Sequence, residues 1–124
     1  MALPKELVAA SATPIVLSIL AQGESYGYAI IQKVGELSGG HVAWTDGMLY
    51  PVLHRLERSG LIESSWKTSE IGRKRKYYRL RQEGARLLSQ ERRNWELVAG
   101  MLSRLWEEPS CLISMKLCAG GATV

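Results

Sequence analysis

The sequence has no phenylalanine, and only two of its 124 residues are cysteines. Cys111 and Cys118 both lie close to the C-terminus, which excludes the disulfide framework typical of a small extracellular protein. Their spacing is not that of a CxxC pair, and two thiols do not complete a four-ligand zinc site. We therefore expect both cysteines to be inert, and we expect neither a metal nor a cofactor.

Long apolar runs are also missing. The most apolar stretch, residues 9–21, is interrupted by Ser11, Thr13, Pro14 and Ser18, so no membrane span of about 18 residues is predicted. The first residues do not resemble a secretory signal. The expected location is the cytoplasm.

Motifs of the common catalytic sites are absent too. The sequence contains no GxSxG, no glycine-rich phosphate loop, no HExxH and no convergent set of acids. His54 has only Glu57 near it in sequence as an orienting carboxylate. An enzyme is therefore not expected.

Positive charge is present, and it is unevenly distributed. The net charge is only +4. Between Arg73 and Arg81, however, there are six Lys or Arg residues and no acid. A local positive surface attracts phosphates even when the total charge is modest. The alternative interpretation is a solvated charged loop with no partner.

The first 40 residues predict two helices. The first covers residues 15–21, with Thr13 as its cap and Pro14 at its start. Residues 4–12 are predicted to form a separate preceding turn. The second helix is predicted to be capped by Ser25 and to stop at residues 38–40. Its apolar residues recur at helical spacing: Ile30, Ile31, Val34 and Leu37.

A third helix is predicted to begin at Thr45 or Asp46 and to have two distinct faces. Pro51 predicts an irregular first turn or a slight kink. The core face consists of Leu49, Val52, Leu53 and Leu56. The opposite face carries a polar and aromatic stripe, composed of Tyr50, His54 and Arg58 and flanked by Gly47 and Arg55.

The next segment predicts a β-hairpin. Residues 61–67 alternate as a strand does, with Ile62, Ser64 and Trp66 on one face, and residues 76–80 are the predicted partner strand. The loop between them, residues 68–75, is long and is expected to protrude as a positively charged tip. Three helices followed by a strand, a basic loop and a strand are typical of a winged helix-turn-helix. The predicted fold is therefore mostly α with a two-stranded β-wing.

A long C-terminal helix is predicted over residues 82–107. Its apolar residues follow coiled-coil spacing: Leu88, Trp95, Val98, Leu102 and Leu105, widened by Leu97 and Met101. This broad stripe predicts a dimerisation helix, and packing back on the first helix is the alternative. The predicted organisation is a DNA-binding domain over residues 1–80, a dimerisation helix over residues 81–108 and a tail of unknown structure over residues 109–124.

From about residue 15 to residue 105, the chain resembles the PadR family of bacterial transcriptional regulators. The matching strings, in the family's order and spacing, are LSILAQG (17–23), SYGYAI (25–30), GMLYPVLHRLE (47–57), GLI (60–62) and RKYYRL (75–80). Their succession is more specific than any one of them. The resemblance implies a homodimeric repressor without enzymatic activity, with the third helix in the major groove of double-stranded DNA.

The resemblance also implies roles for individual residues. Tyr50 matches the recognition-helix tyrosine, which is expected to contact a phosphate or a base edge. Of Tyr26 and Tyr28, one ring is expected to pack and the other to touch the DNA backbone. The positions of the family's wing are occupied here by Arg73, Lys74, Arg75 and Lys76, which are expected to neutralise phosphates. Sequence discrimination is expected from His54, Arg55 or Arg58.

Two further points depend on the resemblance. The family usually has a threonine cap before the long helix, where this chain has Arg81, so a later start or a poor cap is expected. Trp95 occupies a position where some family members stack planar aromatic effectors, although a plain core role is the alternative. The other functional hypothesis is a ligand-sensing or protein-docking winged helix that binds DNA weakly or without sequence preference.

Overall fold

The structure is a computed structural model that describes residues 3–107. Its contacts divide the chain into two units, residues 1–89 and residues 90–124. The cysteines and the predicted tail, residues 109–124, lie outside the described residues. The elements in chain order are α1 (Lys5–Ala21), β1 (Ser25–Tyr26), α2 (Gly27–Leu37), α3 (Asp46–Arg58), β2 (Ile62–Thr68), β3 (Lys74–Leu80) and α4 (Gln82–Trp106).

The first helix is longer than the sequence pattern predicts. Helix α1 is continuous from Lys5, with Pro14 inside it, where a separate turn and a capped helix were expected. An interior proline removes one backbone hydrogen bond at a cost of about 3 kcal/mol. Burial of apolar side chains on both sides of the proline offsets this cost; those buried are Ala12, Val16, Leu17 and Leu20.

The sheet has three antiparallel strands in the order β1-β3-β2, so the prediction of a two-stranded wing was incomplete. The added strand is short: Ser25 pairs with Tyr78, and Tyr26 pairs with Tyr77. Ser25 was predicted to cap the second helix. It is a strand residue instead, and Tyr26 immediately precedes α2 without a side-chain cap. The free edge of β3 explains the change, because it takes up the backbone hydrogen-bonding groups of this segment.

The hairpin differs from the prediction in the position of its charges. Strand β3 begins at Lys74, with Thr68 paired to Lys74 and Lys67 to Arg75. The connection is therefore only residues 69–73, and it is closed by the Ser69 amide donating to the Arg73 carbonyl at 2.8 Å. The prediction of a protruding loop over residues 68–75 was wrong, because pairing extends the ladder into the basic run. Only Arg73 lies in the turn, and the other three cations lie on β3.

Helix α3 has the predicted faces. Leu49, Leu53 and Leu56 are fully buried, and Val52 packs partly against the same core. Thr45 is the cap, because its hydroxyl accepts a hydrogen bond from the Met48 amide at 3.2 Å. The core is completed from α1, α2 and the sheet, including Val16, Ile30, Ile62 and Tyr78.

Helix α4 covers nearly the predicted range and begins directly after Arg81. Its first turn lies tightly against the end of the hairpin. A Cβ added at Gly84 would lie 2.2 Å from the Leu61 carbonyl oxygen and 2.7 Å from Leu80 Cδ1. No helix within residues 3–107 is long and apolar enough to cross a membrane.

Candidate nucleic-acid interface

A groove of about 690 Å³ lies between the start of α2, the outer face of α3 and the hairpin. Every residue predicted to contact DNA lines it, except Arg55 and Arg58. The lining residues are Tyr26, Gly27, Tyr28, Tyr50, His54, Trp66, Arg73, Lys74, Arg75, Lys76 and Tyr78. The structure therefore brings together side chains from four separate sequence segments in one concave surface.

Tyr50 lines the groove next to Gly27, which leaves room for its ring. A Cβ at Gly27 would lie 2.4 Å from the Tyr50 hydroxyl oxygen and 2.8 Å from Cζ. The Tyr50 side chain therefore lies against the backbone at the start of α2. The residue keeps 36% of its surface exposed, so part of the side chain faces the groove.

The other two tyrosines of this region divide as expected into one packed and one exposed ring. Tyr26 makes an edge contact with Tyr77, at 5.2 Å between centroids. The Arg75 guanidinium covers its ring at 4.5 Å. Tyr28, by contrast, is 63% exposed. Tyr26 therefore holds Arg75 in place, and Tyr28 is available for contact.

The cations of the groove are unneutralised. Among the described residues, none of the ion pairs involves Arg73, Lys74, Arg75 or Lys76. Cations of the sheet outside the groove are paired: Lys67 with Glu24, and both Arg79 and Arg81 with Glu63. Positive charge is thus left unpaired where the surface is concave, which favours an anionic ligand.

Arg55 and Arg58 do not line the groove. The Arg55 Nη2 donates a hydrogen bond to Thr13 Oγ1 at 3.2 Å. Arg55 also borders a second cavity of about 440 Å³ between α1 and α3. Arg58 is exposed in the last turn of α3. Of the three residues expected to discriminate sequence, His54 alone lies in the groove.

Comparison with known proteins identifies the family of the chain. Residues 16–90 match the family described as the transcriptional regulator PadR-like family. The chain belongs to the PadR-like family. A transcriptional regulator of Mycobacterium tuberculosis is 37% identical over 84 residues, covering 68% of this chain and 75% of that protein.

The chain is also similar to a solved structure and to a longer protein. The crystal structure of a PadR-like transcriptional regulator from Bacillus cereus has a TM-score of 0.74 to this chain. It is 28% identical, and the match covers 83% of this chain and 98% of that one. The Escherichia coli transcriptional regulator YqjI is 30% identical over 84 residues, which is 39% of its own length. This PadR-like chain therefore spans well under half of that relative.

The residues predicted for the dimer interface of this PadR-like protein lie in both units, with Leu88 in residues 1–89 and the other four in residues 90–124. Leu88 packs partly against the core of residues 1–89. Trp95 is half-buried, while Val98, Leu102 and Leu105 are exposed by 50%, 37% and 63%. Their role in dimerisation stays a prediction, as does an aromatic effector at Trp95.

Sequence reasoning missed three groove residues, Gly27, Trp66 and Tyr78. Trp66 is 66% exposed on β2 and pairs with Lys76. The alternation in residues 61–67 could have identified it, but only with the hairpin register known. Tyr78 is 1% exposed, and its hydroxyl has no hydrogen-bond partner among residues 3–107. Burial raises the pKa of Tyr78, and the charges of Tyr50 and Glu57 raise it further.

Proposed function

We propose that this PadR-like regulator is a repressor that binds an inverted-repeat operator in double-stranded DNA as a homodimer. Helix α3 enters the major groove, and the hairpin lies on the flanking backbone or minor groove. One observation carries the proposal. Among the described residues, four cations that form no ion pair share a concave surface with the partly exposed Tyr50 side chain, while neighbouring cations outside it are paired with carboxylates.

The proposed contacts have two separate purposes. Tyr50 and the four groove cations, Arg73, Lys74, Arg75 and Lys76, bind phosphates and set the position of the protein without reading sequence. His54 reads base edges, because it lies on the outer face of α3 and inside the groove. Arg58 is a secondary candidate at the end of the same helix face. Arg55 contributes to the reading of bases only if its hydrogen bond to the Thr13 hydroxyl breaks.

The homodimer is proposed from the exposed apolar side chains of α4. Val98, Leu102 and Leu105 follow coiled-coil spacing, and the neighbouring Leu97 and Met101 are 63% and 50% exposed. A second copy of this helix would cover these side chains, and a two-fold dimer presents two recognition helices. Half-sites are then expected about one helical turn, roughly 34 Å, apart.

The phosphate contacts can be tested by measuring DNA affinity over a series of salt concentrations. Each phosphate neutralised contributes about −0.9 to the slope of log K against log salt. Lys74→Ala is expected to reduce the magnitude of this slope by about 1.8 for a dimer, which has two copies of the residue. Fluorescence anisotropy of a labelled duplex measures both affinity and slope.

Arg79→Ala is the matched control. Arg79 lies on the same strand, but its charge is paired with Glu63 outside the groove. Its salt slope is expected to equal that of the wild type. Equal slopes for Lys74→Ala and the wild type would contradict the proposal, as would an equal reduction in both variants.

A further inference from the structure

The hydroxyl of Tyr78 is a buried donor without an acceptor. Tyr78 lies on the central strand β3, between Ser25 of β1 and Ser64 of β2. Its hydroxyl oxygen is inaccessible to solvent and makes no hydrogen bond within residues 3–107. Leaving such a group unpaired destabilises the folded state, and phenylalanine would avoid that cost. The hydroxyl therefore needs an explanation other than stability of this state.

The surroundings of the hydroxyl restrict its possible acceptors. Tyr78 and Tyr50 line the same groove. Glu57 lies on α3, C-terminal to Tyr50. The Ser64 hydroxyl donates a hydrogen bond to Glu57 Oε2 at 2.5 Å and holds this side chain. Because Ser64 pairs with Tyr78 across the sheet, Glu57 lies near this strand. Burial, and after it the charges of Tyr50 and Glu57, raise the pKa of Tyr78. Ser64 holds the Glu57 carboxylate in place, whereas the Tyr50 side chain is partly exposed, so the Tyr50 oxygen has the greater freedom to approach the Tyr78 hydroxyl.

We propose that the Tyr78 hydroxyl is a positioning group for Tyr50 in the DNA-bound state. On binding, the Tyr78 hydroxyl donates to the Tyr50 oxygen, and the Tyr50 hydroxyl donates to a DNA phosphate. Tyr50 is partly exposed, so a small shift of its ring, still against Gly27, can bring its hydroxyl within reach of both Tyr78 and a phosphate. A chain of two hydroxyls ending on an anion strengthens each hydrogen bond in it. This inference rests on the proposed DNA-binding function and adds a residue that does not itself touch DNA.

The test is Tyr78→Phe in the full chain, with a short labelled duplex of random sequence at about 50 mM salt as the probe. DNA affinity is expected to fall about tenfold, because Tyr50 loses the hydrogen bond from Tyr78 that positions it on the phosphate. The salt slope is expected to stay unchanged, because no charge is removed. The melting temperature is expected to rise by about 4 °C, because the unpaired hydroxyl is gone. A purely structural role would not raise stability while lowering affinity.

The dependence on Tyr50 is tested by a double-mutant cycle. Tyr50→Phe removes the proposed phosphate donor, so adding Tyr78→Phe to it is expected to cost less than twofold further. Tyr77→Phe is the matched control, since Tyr77 is the next residue on β3 and does not line the groove. Its DNA affinity is expected to stay within twofold of the wild type.

Two outcomes would overturn the inference. One is Tyr78→Phe binding within twofold of the wild type, and the other is an equal loss with and without the Tyr50 hydroxyl. Both outcomes can be observed only if the wild-type chain binds the duplex. Absence of wild-type binding would instead overturn the proposed function, so the two failures are distinguishable.

Discussion

At the scale of single residues, the position of Tyr50 depends on the absence of a side chain at Gly27. The Tyr50 hydroxyl reaches the space that a Cβ at Gly27 would fill. No backbone atom is among the nearest neighbours of that Cβ; only atoms of the Tyr50 ring are. An added methyl group therefore displaces a partly exposed ring more easily than it disturbs the core.

Gly27→Ala is accordingly expected to weaken DNA binding about tenfold, since the displaced Tyr50 loses its phosphate contact. The melting temperature should change by no more than a few degrees. Gly35→Ala is the control on the same helix, because its Cβ would meet nothing within 4 Å. Anisotropy titrations and thermal melts of both variants measure these effects. Equal affinity for both variants would show that Tyr50 does not need its observed position.

The exposed and buried faces of α3 could be predicted from the sequence, but the neighbours of the exposed face could not. Helical periodicity separates Leu49 and Leu53 from Tyr50 and His54, and the structure has the same separation. Gly27 and Tyr78 carry no such signal. Their importance comes from contacts between α2, α3 and β3, which depend on how the elements pack.

At the scale of elements, the hairpin and the start of α4 form a tight junction. Gly84 lies in the first turn of α4, against the Leu61 carbonyl oxygen. The Arg81 amide donates to the same carbonyl at 3.0 Å. The backbone at this junction cannot move away without losing that hydrogen bond.

Gly84→Ala is expected to lower the free energy of unfolding by about 2 kcal/mol, because the methyl group overlaps a backbone oxygen. That corresponds to a fall of about 10 °C in melting temperature for a domain of this size. Gly100→Ala in the same helix has open space at its Cβ and is expected to cause no loss. A Gly84→Ala variant as stable as the wild type would contradict the close approach.

The accuracy of the predicted lengths differs between the elements. Helices α3 and α4 have strong periodicity, so their ranges agree with the prediction to within a residue or so, although α4 starts directly after Arg81 and not later as the missing threonine cap suggested. The hairpin was misjudged because a run of cations has the composition of a loop. Pairing with β2 determines the strand instead, and this long-range interaction is not visible in local composition.

At the scale of the whole molecule, the proposed function requires two copies. Leu102 is expected to lie at the dimer interface, in the seam formed by the apolar residues of α4. Leu102→Glu should convert a dimer to a monomer at micromolar concentration, because two carboxylates would face each other in an apolar seam. Affinity for an inverted repeat should fall more than tenfold as the second half-site is lost.

Sedimentation velocity measures this change directly, with Ser103→Glu as the control on the adjacent, exposed position. The control is expected to remain dimeric. A wild type that sediments as a monomer would contradict the dimer, and a dimeric Leu102→Glu variant would place the interface elsewhere.

The most direct test of the central claim is selection of bound sequences from random duplex DNA at about 150 mM salt, where non-specific binding is weak. The wild type is expected to enrich an inverted repeat, and His54→Ala is expected to enrich a motif altered at the bases that α3 contacts. Lack of enrichment by the wild type would contradict sequence-specific regulation. That result would instead favour a winged helix that docks a protein or binds DNA without sequence preference.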